Sequence, residues 1–212
     1  MILSDFLAKY KPLDSDYALG ARFSTICMAL SLLHYKKPIN ANIVETGTTR
    51  KHKINCPSQR ERCGDGCATV LFGDHANTYG GHVWTCDINK QAIADCQIAT
   101  HDYKKYISYH TQDSVQFLSE FDQHIDLLYL DSVDGHHPLA NEHQLLEIKT
   151  VLPKLTHNTV ILLDDLGSKT QLSIPFLLNN DYCQILLNIE QTTNDKRLCQ
   201  GLFVHESFLY CL

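Results

Sequence analysis

The sequence predicts an α/β fold with a mostly parallel sheet, helices on both of its faces and an antiparallel hairpin at the C-terminal end. Three observations indicate this fold. Short apolar runs alternate with segments of helical periodicity five times in succession, and repeated βα units form parallel sheets. Residues 125–130 are apolar with one interruption by Asp126, which is typical of a strand buried on both faces. A polar turn at 191–195 joins the last two apolar runs.

The bounds of the individual helices and strands are predicted from the periodicity of apolar residues and from the turn-forming residues at either end. The first helix is predicted over 16–35, where apolar side chains recur at three- and four-residue steps before Pro38. The predicted strands are 42–46, 82–87, 107–110, 125–130, 159–163, 183–189 and 200–205. The predicted helices between them are 67–75, 90–100, 114–120, 138–152 and 171–178. We expect a single domain over 1–212, with residues 1–40 as an N-terminal helical cap and 50–66 as an inserted loop.

Composition narrows the classes of partner. The net charge is −6 and no run of Lys or Arg reaches five residues, so a nucleic-acid partner is not expected. No apolar segment approaches the roughly 18 residues of a membrane-spanning helix, and no secretory signal is visible at the start of the sequence. Nine cysteines, an odd number, are scattered through the chain, which favours free thiols in a reducing cytoplasm.

Acidic residues stand at the ends of the predicted strands. Ligands of open α/β sheets bind beyond the carboxyl ends of the strands, so these residues mark a candidate site. They are Glu45, Asp87, Asp113, Asp131, Asp164 and Asp165. Gly47 would let a ligand approach the backbone closely, with Glu45 beside it or merely solvated. Asp87 could accept two ribose hydroxyls, cap the following helix, or do both.

The order of these motifs resembles a known family. The series VETGTT, GDG, TCDIN, QDS, YLDS and LLDD is similar to class I S-adenosylmethionine (SAM)-dependent methyltransferases. Within that family, the chain most resembles the macrocin-type small-molecule O-methyltransferases, over about residues 43–166. The resemblance implies a Rossmann-like methyltransferase fold with a seven-stranded sheet, and SAM as the cofactor.

The resemblance also implies roles for individual residues. Glu45, Gly47 and Thr48 would cradle the amino-acid end of SAM, and Asp65 and Gly66 would form the second part of that loop. Asp87 would bind the ribose beside Ile88 at the adenine, and Asp113 and Ser114 would lie at the adenine edge. Asp131 is expected to border the cofactor, and Asp131, Asp164 and Asp165 would hold a divalent cation.

A separate physical argument favours the metal. Three carboxylates at the ends of adjacent strands repel one another, and a hard cation such as Mg²⁺ removes the repulsion. A bound cation could also lower the pKa of a substrate hydroxyl. The alternative is that Asp131 caps a helix and Asp164-Asp165 forms a polar turn. Besides Asp131, His136 and His143 are the predicted catalytic residues, because a histidine in a pocket can deprotonate a hydroxyl.

The leading hypothesis is therefore metal-assisted O-methylation of a small hydroxylated molecule. Two alternatives remain open. A non-catalytic nucleoside- or SAM-binding module would need Glu45 and Asp87 but no acidic cluster. A metal-dependent hydrolase would use the cluster with a histidine but no cofactor side. We expect a cytoplasmic protein with no nucleic-acid or membrane partner, and the sequence leaves a homodimer open.

Overall fold

A seven-stranded sheet forms the centre of the molecule. The computed structural model describes residues 1–10, 20–50, 67–185 and 200–210. The strands, in the order β3-β2-β1-β4-β5-β7-β6, are β1 (Ala41–Thr46), β2 (Gly81–Asp87), β3 (Ile107–Thr111), β4 (Leu127–Leu130), β5 (Val160–Leu163), β6 (Tyr182–Ile185) and β7 (Gly201–His205). The described helices are α1 (Leu3–Tyr10), α2 (Gly20–Lys36), α3 (Ala68–Tyr79), α4 (Lys90–Ala99), α5 (Ser114–Glu120), α6 (Ala140–Val151), α7 (Ser173–Leu178) and α8 (Glu206–Leu209).

Strands β1 to β5 are parallel, whereas β7 is antiparallel to both β5 and β6. The parallel sheet with a C-terminal antiparallel hairpin is thus confirmed. Strand β1 pairs with β2 on one side and β4 on the other, so the strand order switches direction there. Ligand clefts of open α/β sheets lie at such a switch point.

The apolar core has two layers, one on each face of the sheet. Every residue of β4 and β5 is buried, as their unbroken apolar runs predict. Side chains alternate between faces along a strand, so Tyr129 packs with Phe72 of α3. Leu128 belongs to the opposite layer with Ile148 of α6.

Two helices differ from the sequence-based expectations. Helix α1 lies within the helical cap expected over 1–40 but was not predicted as a separate helix; it is held by Lys9 and Tyr10, which both hydrogen-bond the Asp74 carboxylate of α3. In the helix predicted over 138–152, apolar periodicity places Leu146 on the inner face, but Leu146 is 50% exposed, and Gln144 and Glu147 are buried in its place.

Some predicted segments lie outside the described residues. These are 16–19 of the first helix, 51–66 of the inserted loop, 186–189 of the sixth strand and the turn 191–195. None of the described helices combines the length and apolar character needed to cross a membrane.

Candidate functional site at the carboxyl edge of the sheet

Backbone hydrogen bonds align the ends of the central strands along one edge. The Gly47 N–H donates to the Cys86 carbonyl of β2 at 2.9 Å, and the Asp131 N–H donates to the Thr46 carbonyl of β1 at 2.8 Å. The Asp164 N–H donates to the last carbonyl of β4 at 3.1 Å. The described strand-end groups predicted from sequence therefore share one edge, as parallel pairing requires.

The turn after β1 depends on Gly47. Its φ is +78°, in the region that favours glycine. A Cβ at this position would lie 2.3 Å from the Asp131 carbonyl oxygen. Glycine thus permits the turn after β1 to lie directly against the end of β4.

Glu45 is a buried carboxylate rather than a solvated one. It is 2% exposed, and its Oε2 accepts hydrogen bonds from the hydroxyls of Thr69 and Thr85, each at 2.7 Å. The Thr69 Oγ1 also accepts the Thr49 N–H at 3.1 Å. Glu45 therefore ties β1 to β2 and to the start of α3, which fixes the turn that begins at Gly47. Sequence reasoning missed both threonines.

Asp87 is half-buried at the end of β2. Its Oδ1 accepts the Asn89 N–H at 2.7 Å. Desolvation raises the pKa of its carboxyl, and backbone N–H groups and the Arg50 charge oppose that rise. Helix α4 is capped by Asn89 and not by Asp87, so the capping alternative for Asp87 is wrong. The neighbouring Ile88 is 74% exposed and leaves an apolar surface beside the carboxylate.

At the end of β3, Asp113 caps α5 by accepting the Gln116 N–H at 3.0 Å. The adjacent Ser114 is 6% exposed, and its hydroxyl lies 2.9 Å from Nε2 of His143 in α6. The structure thus brings two sequence-predicted residues, Ser114 and His143, into contact at the predicted adenine edge.

Glu147, on the buried face of α6, lies next to the Ser114–His143 pair. It is 0% exposed; its Oε1 accepts the Ser132 hydroxyl at 2.7 Å and lies 3.8 Å from His143 Nε2. Its Oε2 has no hydrogen-bond partner among the described residues. His143 therefore belongs to the Ser114–Glu147 group. His136 is exposed in the loop after β4. Among the described residues, neither His136 nor His143 forms a hydrogen bond or ion pair with Asp131, Asp164 or Asp165.

The acidic cluster comprises Asp131, Asp164 and Asp165. One oxygen from each side chain lies within 4.8 Å of the others, so the predicted metal ligands do converge. Asp164 is 1% exposed in its side chain, whereas Asp131 and Asp165 are each 29% exposed. The alternative role of Asp131 as a helix cap is wrong, because the next described helix, α6, begins well after it, at Ala140, with Leu139 as its N-cap.

Two basic side chains already lie within the acidic cluster. Lys169 Nζ is 2.8 Å from Asp131 Oδ1 and 3.1 Å from Asp165 Oδ2. Arg22 of α2 forms a two-pronged ion pair with Asp164, with both N–O distances 2.9 Å. Lys169 was not singled out from the sequence, although its position four residues after Asp165 was a usable signal.

The carboxyl groups of the cluster differ in protonation. Desolvation and the Asp164 charge raise the pKa of Asp131 well above its usual value. Burial is the largest single influence on Asp164 and acts to raise its pKa, but the hydrogen bonds from Arg22 and Asp131 and the charges of Arg22 and Lys169 together lower that pKa. Asp131 therefore retains a proton more readily than Asp164. These residues do not fit a divalent cation as they stand, because Lys169 and Arg22 already contact the carboxylate oxygens that would coordinate it.

Asp65 and Gly66, the predicted second part of the cofactor loop, lie outside the described residues. Thr48 is 8% exposed and packs near Thr69. Among the described residues, the Gly47 turn, Asp87 and Ser114, which were predicted to bind the cofactor, lie at or just after the ends of the three neighbouring strands β1, β2 and β3.

The fold is shared with solved methyltransferases at low sequence identity. A SAH-bound methyltransferase of Podospora anserina has a TM-score of 0.60 and 12% identity, with 96% of this chain and 87% of that chain covered. An O-methyltransferase of Bacillus cereus in complex with SAH has a TM-score of 0.55 and 14% identity, covering 84% and 80%. An rRNA methylase of Streptococcus thermophilus has a TM-score of 0.57 and 12% identity, covering 84% and 93%. These likenesses define a Rossmann-like methyltransferase fold, as predicted.

A family model described as "Methyltransferase domain" matches residues 62–166, which is just under half of the chain. The match includes Asp87, Asp131 and Asp164 at the strand ends. No curated protein matches the sequence. Together, the domain match and the fold support a SAM-dependent methyltransferase, and the macrocin-type branch stays a sequence-based expectation.

Proposed function

We propose that this chain is a SAM-dependent O-methyltransferase that acts on a small hydroxylated molecule. The observation that carries the proposal is the division of one sheet edge into two parts. The Gly47 turn, Asp87 and Ser114 form a cofactor side, and the partly exposed carboxyl groups of Asp131 and Asp165 lie immediately beside it. When bound, SAM supplies an electrophilic methyl group on a sulfonium sulfur.

The residues of the cofactor side fit SAM. The half-buried Asp87 carboxylate offers oxygens for the two ribose hydroxyls, next to the exposed apolar surface of Ile88. The turn at Gly47, which Glu45 and its two threonines hold in place, presents backbone to the amino-acid end.

On the acceptor side, Asp131 and Asp165 would orient a hydroxyl group by hydrogen bonding. Alignment of a nucleophilic oxygen with the methyl group is itself a large part of such catalysis. A neutral, polar acceptor fits this acidic edge and the net charge of −6 better than a polyanionic nucleic acid does. Metal assistance remains the prediction made from the sequence, and the contacts of Lys169 and Arg22 weigh against it.

We also propose a cytoplasmic setting, which the free thiols of Cys86, Cys96 and Cys183 support. Whether the protein works as a monomer or as a homodimer would follow from its mass in solution.

The test combines cofactor binding with an acceptor screen. Calorimetry should show binding of SAM and SAH to the purified chain. Incubation with methyl-labelled SAM and panels of sugars, catechols, amines and rRNA should transfer label to a hydroxyl oxygen of a small molecule. Label on nitrogen or on rRNA alone would contradict the proposed acceptor class, and absence of SAM binding would contradict the methyltransferase assignment.

A further inference from the structure

Every carboxylate oxygen of the acidic cluster already accepts from a donor of the protein. Asp131 receives Lys169 at Oδ1 and the Tyr129 hydroxyl, at 3.2 Å, at Oδ2. Arg22 donates to both oxygens of Asp164 and, at 3.3 Å, to Asp165 Oδ1. Lys169 lies 3.1 Å from the remaining oxygen, Oδ2 of Asp165. A divalent cation would have to replace several of these contacts at once.

The side chain of Lys169 is buried within the acidic cluster and does not lie on its surface. Its side chain is 2% exposed, and an unpaired ammonium at such a depth would be costly. The turn that carries it is fixed by backbone bonds, because the Lys169 N–H donates to the Asp165 carbonyl at 3.2 Å and the Gly167 N–H donates to the Thr170 hydroxyl at 3.0 Å. The ammonium is therefore held between Asp131 and Asp165.

Most of the negative charge of the cluster is compensated without a metal. Three carboxylates carry at most three negative charges, and Arg22 and Lys169 supply two positive charges at direct contact. Mg²⁺ requires near-octahedral oxygen ligands at about 2.1 Å, and the Lys169 ammonium occupies the space between two of the three side chains that would provide them. The mutual repulsion that would draw in a divalent cation is thus already relieved.

We propose that Lys169 is the resident cation of this site: with Arg22 it takes the place of a divalent metal, and the acidic cluster binds no metal while Lys169 is present. Lys169 then acts as a positioning residue that holds Asp131 and Asp165 toward the acceptor side. This consequence for catalysis rests on the proposed function, whereas the exclusion of metal does not.

The test is a titration of the chelator-treated protein with Mn²⁺ in the absence of SAM and acceptor. Calorimetry and electron paramagnetic resonance measure the Mn²⁺ that is bound. The wild-type protein should show no stoichiometric Mn²⁺ binding at the cluster. Lys169→Ala frees two carboxylates and should bind one Mn²⁺ at least about tenfold more tightly than wild type. Adding Asp165→Asn to Lys169→Ala should abolish that gain. The matched control is Lys104→Ala, which changes an exposed lysine outside the acidic cluster. This variant should bind Mn²⁺ no more tightly than the wild-type protein.

Lys169→Met keeps the length of the side chain without its charge, and it replaces Lys169→Ala if the shorter variant does not fold. The proposal is overturned if wild-type protein binds one Mn²⁺ that Asp165→Asn removes, or if neither lysine variant gains Mn²⁺ affinity. A second readout is methyl transfer in excess chelator, which should persist. Failure to find any transfer would count against the proposed function and leave the Mn²⁺ result to decide the role of Lys169.

Discussion

The Cβ that Gly47 lacks would lie 2.3 Å from the carbonyl oxygen of Asp131. This close approach of the two backbones places the turn after β1, where the proposed cofactor side begins, against the end of β4, where the acidic cluster begins. The two parts of the site are therefore positioned relative to each other by backbone and not by flexible side chains.

Gly47→Ala should damage both stability and cofactor binding. The left-handed backbone costs an alanine about 1–2 kcal/mol, and the added methyl group must displace the end of β4. We expect the free energy of unfolding to fall by more than the backbone cost alone, and the affinity for SAH to fall at least about tenfold. Urea denaturation and calorimetry measure the two effects.

Gly167→Ala is the matched control for this variant. Gly167 has a φ of +95°, but nothing lies within 4 Å of a Cβ built there. It should lose only the backbone term and keep its affinity for SAH. Equal losses in the two variants would show that the close approach to Asp131 is unimportant.

Asp87→Asn should weaken cofactor binding and remove a pH dependence. Charged hydrogen bonds contribute about 1.5–3 kcal/mol each, so about a tenfold or greater loss of SAH affinity is expected. Desolvation raises the pKa of free Asp87, and donation by two ribose hydroxyls would stabilise the ionised form and lower that pKa in the complex. Binding then releases a proton, so wild-type affinity should fall as the pH drops through the raised pKa.

In Asp87→Asn that decline should be absent when SAH affinity is followed by calorimetry across the acidic range. Asp122→Asn, at an exposed position after α5, should retain both the wild-type affinity and its pH dependence. Parallel pH profiles for wild type and Asp87→Asn would exclude Asp87 as the ribose ligand.

The strand-end acids could be predicted because a parallel sheet brings its carboxyl ends to one edge whatever the loops do. Short apolar runs locate those ends to within a residue or two, and the acids at 45, 87, 131 and 164 come directly after or within them. Their common location needs no knowledge of side-chain packing.

The counter-charges could not be predicted in the same way. Repulsion among Asp131, Asp164 and Asp165 demands a positive charge, but a metal, a lysine and an arginine all satisfy that demand. Arg22 is 142 positions from Asp164, and no local pattern links them. Only the packing of α2 over the end of β5 brings the guanidinium to the carboxylate.

The inner face of α6 shows a related limit. Leucines at 145 and 146 favour an apolar inner stripe, but the helix is rotated so that Gln144 and Glu147 are buried. The Ser132 hydroxyl bonded to Glu147 and the Gln144 amide, 3.4 Å from the Asp164 carbonyl, accompany this orientation. Hydrophobic periodicity does not register polar groups that are buried at a site.

A substitution of His143 distinguishes the general-base role predicted from the sequence from a role in holding Ser114. If His143 supports Ser114 through the 2.9 Å contact, His143→Gln loses about one hydrogen bond, or about 0.5–1.5 kcal/mol. SAH affinity should then fall about two- to tenfold, and the pH profile of methyl transfer should keep its shape. A general base would instead lose about 10²–10⁴-fold in transfer rate with unchanged SAH affinity. His136→Gln, at the exposed histidine, should leave SAH affinity unchanged.

His75 should make the free energy of unfolding depend on pH. It is 1% exposed beside Phe6, and its Nε2 lies 2.8 Å from Nε2 of His34. Burial, followed by the His34 charge, lowers the pKa of His75 to about 3, whereas an unfolded histidine titrates near 6.5. Between these two pKa values only the unfolded chain takes up the proton. The free energy of unfolding is therefore unaffected by His75 above about pH 6.5 and declines as the pH falls below that value.

The slope from one such group approaches about 1.4 kcal/mol per pH unit, which amounts to about 2 kcal/mol between pH 7 and pH 5. Urea denaturation across this range should show a shallower decline for His75→Gln than for wild type. His101→Gln, at a histidine with a 74% exposed side chain, should retain the wild-type slope. The pKa of His34 is also lowered by burial, so part of the slope should persist in His75→Gln and diminish further when His34→Gln is added. Superimposable pH profiles for wild type and His75→Gln would mean that His75 takes up its proton in the native state.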